Sequence, residues 1–324
     1  MSKKTIQVGG QAVIEGVMMR SNEAYSVAVR RQDGSIYVRK QPFTSLSKKS
    51  KILSWPILRG AVVLIESLVL GVKALSFSGD VAVEDEKKKN GQSNGKEYEK
   101  TSNKSALSKV WLALTVLFSF AIGLLIFFYV PLILTDLLGA KTGIMFNLVD
   151  GVLRMVIFLV YLLAITMMKD IRRIFEYHGA EHKSIFAFEL KKKLMPAEAK
   201  PLSRFHPRCG TSFLLIVMLV SIFVFMFLGK PTDVGDRLFR LAFIPLIGGL
   251  SYELIRLSDS GSKSRFWRPF IVPGLWLQRI TTKEPDEQQL EVAMVALKAA
   301  LDEDVSEHPS VVFEKQAPRR LQAV

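Results

Sequence analysis

Four stretches of the chain are apolar for about the length of a bilayer crossing. They run from Val110 to Leu138, Ile144 to Met168, Ser212 to Gly229, and Leu238 to Leu257. About 20 helical residues span ~30 Å of hydrocarbon, so each is expected to be a transmembrane helix. The third carries no charge. Asp150 and Arg154 stand near the start of the second, and Arg240, Pro245, Glu253 and Arg256 interrupt the fourth. Charges at such positions are costly and need a partner or a helix end. Asp150 and Arg154 are spaced to pair on one helix face, and Glu253 and Arg256 fall near the last turn of their helix.

A fifth apolar stretch, within residues 53–79, has a different pattern. Arg59, Glu66 and Lys73 recur every seven residues and share one helix face, and the remaining face is apolar. This pattern suits a helix lying in the membrane interface or packed on the bundle. A re-entrant or spanning helix is the competing reading; crossing would carry the basic segment after it to the other side.

Period-two alternation appears once, in "YSVAV" and "SIYVRK" around "QDGS", and predicts a β-hairpin. The stretch "GGQAVIEGVMMR" before it reads as a tight turn into a strand, with Gln11 and Glu15 on one face. Residues 80–109 are charged and nearly free of large apolar side chains, which predicts a disordered linker. Near the end, Leu290, Ala293, Met294, Leu297 and Leu301 form the stripe of an amphipathic helix that Asp286 and Glu287 open.

The expected organisation follows. Residues 1–52 form an N-terminal part with the hairpin, 53–79 the interfacial or packed helix, and 80–109 the linker. Transmembrane helices one and two occupy 110–168, a His/Cys loop 169–211, helices three and four 212–257, and a C-terminal part 258–324. The fold class is mainly α: a polytopic helical membrane protein with about four transmembrane helices, an interfacial amphipathic helix and a small cytosolic α+β part.

Composition and charge orient this picture. Hydrophobic residues make up 49% of the 324, yet the formal net charge is +14. A membrane protein with basic loops combines the two naturally. Nineteen Lys and Arg precede the first span, 10 lie between spans two and three, and 9 follow span four. The two other loops hold one and two. The positive-inside rule therefore predicts a cell-membrane protein with both termini and the middle loop in the cytoplasm. No signal peptide is expected, since the first residues lack its apolar core. The single cysteine, Cys209, excludes an intrachain disulfide.

The middle loop gathers the candidate chemistry. "HGAEH" sets His178 and His182 one helical turn apart, with Glu181 alongside. "RFHPRCGTS" adds His206 and Cys209, with Arg208 between them. Three of the four histidines and the sole cysteine thus fall within 32 residues. His178, His182, His206 and Cys209 are ligands of the kind zinc takes, and a divalent metal, zinc first, is the expected cofactor. The same stretch matches H-x-x-E-H, in which the glutamate activates water. Nothing else in the chain supports a peptidase. The bland alternative is a polar, solvated segment beside a membrane.

Four motifs occur in order: "GGQAVIEGVMMR", "YHGAEHKSIFAFE", "RFHPRCGTSF" and "QRITTKEPDEQQLEVAMVALKAAL". Together they resemble the YqhQ-like family of bacterial multi-pass membrane proteins. The resemblance covers nearly the whole chain apart from the charged linker and the last dozen residues. It implies membrane location and a metal dependence described for the family, and draws attention to His178, Glu181, His182, His206, Arg208 and Cys209. It implies no substrate.

Two functional expectations remain. One is a metal-dependent membrane enzyme, pictured as a hydrolase, with a cytoplasm-facing site acting on a lipid or membrane-embedded substrate. Glu181 would be its general base or an outer partner, and Gln11, Glu15, Arg208 and Glu253 are further polar candidates. The other is a non-enzymatic basic scaffold beside the translocon or ribosome. The partners expected are membrane lipids with anionic headgroups, and no sequence-specific nucleic-acid binding is expected.

Overall fold

The predicted hairpin is the centre of a larger sheet. In the computed structural model, which describes residues 8–90, 106–260 and 265–314, four strands form an antiparallel meander. They are β1 (Gly9–Val13), β2 (Gly16–Arg20), β3 (Ala24–Arg30) and β4 (Ile36–Pro42). A short β5 (Val311–Phe313) joins β4 in parallel and completes the five-stranded order β1-β2-β3-β4-β5. "GGQAVIEGVMMR" is therefore a hairpin and not one strand. Glu15, at φ 51°, makes its turn, so Gln11 and Glu15 do not share a strand face.

Strand alternation gives the sheet two apolar faces. Met18, Tyr25, Val27, Val29 and Tyr37 point to one side, and Val17, Met19, Ala28, Ile36 and Val38 to the other.

After the four-residue α1 (Leu46–Lys49), the first side is covered by α2 (Leu58–Lys89) through Leu70, Ala74, Phe77 and Val81. This helix corrects two boundaries. It begins at Leu58 instead of residue 53, and residues 80–89 of the expected disordered linker are its last turns. Tertiary contact supplies what composition lacked: Val81 and Asp85 are buried, and Arg31 pairs with both Glu84 and Asp85. Residues 91–105 of that linker lie outside the described residues.

The opposite side of the sheet receives α6 (Lys169–Glu189) and α12 (Glu287–Ala300). A capping box between Asp286 and Gln289 starts α12. The expected one-sided amphipathic helix is instead buried nearly all round, because it lies between α6 and the sheet. Ser26 Oγ donates to the Ala296 carbonyl at 2.5 Å on this face.

Among the described residues, five helical units are long and apolar enough to cross a membrane: α2 and the four predicted stretches. The first stretch joins α3 (Ala106–Leu124), a π-helical turn at Leu125–Tyr129 and α4 (Val130–Leu137). Pro131 lacks an N–H, and the π turn lies where the α-helical ladder is interrupted. The second is α5 (Gly143–Thr166), capped by Thr142. The four-residue α7 (Pro196–Ala199) precedes the third, α8 (Gly210–Phe227), and the fourth combines α9 (Val234–Leu241) with α10 (Ile244–Ser260). Finally, α11 (Arg268–Thr281) packs along α8 and leads into α12.

Candidate metal site

The middle segment starts not as a loop but as α6, which carries "HGAEH" on a helix. Its fourth-residue spacing brings the His178 and His182 rings to 4.5 Å between centroids. Each ring is oriented by a backbone carbonyl. The Nδ1–H of His178 donates to Thr281 O at 2.8 Å, and that of His182 to Arg204 O at 2.5 Å. This tautomer leaves both Nε2 lone pairs for a ligand, the usual outer support of a metal-binding histidine.

Cys209 closes the group. It is the N-cap of α8, and its Sγ accepts a hydrogen bond from Thr211 N at 3.4 Å. The same sulfur lies 3.2 Å from His178 Nε2. One ligand atom from each of His178, His182 and Cys209 falls within 4.8 Å of the others. His182 and Cys209 are buried, and His178 is half-buried. Burial pushes the His182 pKa down, so its neutral, metal-competent form is favoured.

The chain reaches this arrangement through two backbone approaches. At Gly179, a Cβ would collide with the Lys283 carbonyl oxygen. Lys283 N donates to Phe175 O at 2.8 Å, and this crossing sets Thr281 O against His178. On the other side, Gln278 clamps the "RFHPRC" turn. Its Oε1 accepts from His206 N at 2.8 Å, and its Nε2 donates to His206 O at 2.8 Å and to Ser212 Oγ at 2.9 Å.

His206 stands beside the group and not in it. Its ring centroid is 5.7 Å from that of His182, its Nε2 faces Glu189 at 3.3 Å, and its Nδ1 accepts from Arg208 N at 3.2 Å. The Arg208 guanidinium pairs with the same Glu189 carboxylate. Glu181 is also outside the group of three. Its buried carboxylate accepts the Gly10 N–H, and desolvation raises its pKa. It ties β1 to α6 next to both histidines.

The other polar candidates lie apart. Gln11 Nε2 donates to Ser67 O of α2 at 3.2 Å. Glu15 pairs with Arg173 and accepts from Tyr177 OH at 3.4 Å. Glu253 forms a two-point pair with Arg59 at 2.7 and 2.5 Å, which joins α10 to α2. Asp150 and Arg154 pair at 2.8 Å, as their spacing predicts. Sequence reasoning missed Arg204, Gln278 and Thr281. Arg204 and Thr281 act through backbone carbonyls, which leave no side-chain signature; Gln278 lay in view without a spacing that tied it to the histidines.

The family model described as "Protein of unknown function (DUF1385)" matches residues 55–303. "Uncharacterized protein YqhQ" of Bacillus subtilis (strain 168) is 34% identical over 306 residues, which covers 90% of this chain and 92% of the relative. No solved structure matches the chain. A family match over most of the sequence, joined to a relative aligned nearly end to end, places the chain in the YqhQ-like family described as DUF1385.

Proposed function

We propose that the protein is a metal-dependent membrane enzyme whose site, at the start of α8, faces the cytoplasm and acts on a lipid or membrane-embedded substrate. In this reading α3–α4, α5, α8 and α9–α10 cross the bilayer. The concentration of Lys and Arg before α3, between α5 and α8, and after α10 supports cytoplasmic termini.

One observation carries the proposal: two carbonyl-oriented imidazoles converge with a buried thiol. Nitrogen and sulfur donors suit zinc and disfavour magnesium or calcium. Three protein ligands, instead of the four expected from sequence, leave a coordination position for water or substrate. Zinc held there would supply a Lewis acid and an activated water. His178 and His182 would hold it through Nε2, and Cys209 as thiolate, steadied by the Thr211 N–H. Glu181 would fix α6 against β1. Because Cys209 begins a helix expected to cross the bilayer, the site would lie at the membrane surface, where a headgroup can reach it.

Elemental analysis of detergent-purified protein tests this. Stoichiometric metal in the wild type and its loss in Cys209→Ser are expected. Metal-free wild-type protein from metal-replete cells would overturn the reading. The 3.2 Å Cys209–His178 contact also favours a second reading, a thiol nucleophile with an imidazole base. That reading expects no metal, and alkylation of Cys209 that His178→Ala slows.

A further inference from the structure

Helix α2 has two apolar faces. The inner one, through Leu70, Ala74, Phe77 and Val81, packs on the sheet. The outer one is uncovered: Ile65, Leu68, Val69, Val72, Leu75 and Val83 are 41–61% exposed. At ~100° per residue these two sets lie on opposite sides of the helix. At ~1.5 Å per residue the exposed stripe is about 27 Å long. A stripe of this size is not a soluble surface.

We infer that the outer face of α2 lies in the plane of the cytoplasmic leaflet and binds it, holding the sheet domain flat against the membrane. The inference rests on the four-span topology proposed above. Three observations name the occupant. First, α2 cannot cross the bilayer with its sheet attached. Glu66 accepts from Ser45 Oγ at 2.8 Å and from Leu46 N at 2.6 Å, and Asp85 accepts from Arg31 Nε at 2.9 Å. Crossing would drag this polar sheet and its edges into hydrocarbon, where backbone groups find no partners. Second, the stripe continues from the membrane bundle. Gly60 of α2 packs directly on Gly249 of α10, and Arg59 pairs with Glu253 one helical turn further along α10. Third, the charge along the approach to α2 and its first two-thirds is one-sided. Between Leu46 and Gly79 the single acidic residue, Glu66, is buried, whereas Lys48, Lys49, Lys51 and Lys73 are exposed. Anionic headgroups complement that surface, and a second copy of it would repel. Trp55, 62% exposed just before the helix, fits the same depth.

Spin labels test this in proteoliposomes containing anionic phospholipid. Nitroxides are placed at Leu68→Cys, Val72→Cys, Val83→Cys and, on the β3–β4 turn, Asp33→Cys, and the signal of identically treated wild type, whose native Cys209 is free, is subtracted. Oxygen and an aqueous nickel chelate serve as collision probes. The expected result is one shallow membrane depth for the three α2 labels and aqueous exposure for Asp33→Cys. A depth that changes steadily from position 68 to 83 means a crossing helix and overturns the inference. So does full aqueous exposure, or spin–spin broadening that reports a second copy. Sidedness is measured separately with an impermeant maleimide at Lys141→Cys between α4 and α5. Labelling from the cytoplasmic side would overturn the four-span topology by itself, whatever the depth of α2.

Discussion

The Nε2 of His178 lies 3.2 Å from the Sγ of Cys209, although the two residues are 31 positions apart and belong to different helices. The contact depends on a third element, since the carbonyl that orients His178 belongs to Thr281 at the end of α11. Three segments distant in sequence must pack before the site exists, so disturbing any one of them should register in ligand binding.

His206 separates a three-ligand site from a four-ligand one. His206→Ala is expected to keep stoichiometric metal, whereas His178→Ala, His182→Ala and Cys209→Ser lose it. Cobalt substitution gives an independent reading: the thiolate charge-transfer absorption should survive His206→Ala and vanish in Cys209→Ser. Loss of metal in His206→Ala, in a protein of unchanged thermal stability, would restore the four-ligand site.

Gly179→Ala should be costly despite the better helix propensity of alanine. Its methyl group would displace the Lys283 backbone. Overpacking of this kind costs about 1–3 kcal/mol. Thermal unfolding in detergent measures the loss, and metal affinity should fall with it because Thr281 O retreats from His178. A stability equal to or above wild type would contradict the close approach.

Gln278→Leu removes three hydrogen bonds in a fully buried position. Each buried group left without a partner costs roughly 1–3 kcal/mol. A drop in unfolding temperature well beyond that of an exposed control such as Arg279→Leu is expected. The "RFHPRC" turn should also become more open to proteolysis.

Asp150 and Arg154 are both buried, at 1% and 8% exposure, and the guanidinium lies 5.0 Å from the Phe128 ring centroid. Removing one partner strands the other charge, at a cost of about 3–5 kcal/mol. Asp150→Leu or Arg154→Leu alone should destabilise strongly, while the double replacement should recover part of the loss. Additive losses in a double-mutant cycle would show that the pair is not coupled.

Some elements were legible because the signal is local. The β3–β4 hairpin follows from alternation around "QDGS", and the four long apolar helices follow from length and polarity. The fourth-residue spacing of His178 and His182 is a property of one helix, and so is the pairing of Asp150 with Arg154. Other elements left no such trace. The β1–β2 hairpin turns at Ile14 and Glu15, residues that carry no turn preference. The last turns of α2, "VAVEDEKKK", read as solvated linker until Arg31 and the sheet provide contacts. Gly179 lowers helix propensity inside α6, yet it is the place where the backbone at Lys283 must pass.

Composition, periodicity and contiguous motifs carry the family, the apolar helices, the basic polarity of the long segments flanking them and the gathering of His178, His182, His206 and Cys209 within one segment, because each of these is local along the chain. Tertiary structure decided which of those side chains meet. Cys209 joins His178 and His182 while His206 turns to Glu189, because Gln278 holds the turn between them and the carbonyls of Thr281 and Arg204 set the rings. These constraints are long-range backbone contacts, and no local pattern of residues encodes where a distant carbonyl will come to rest.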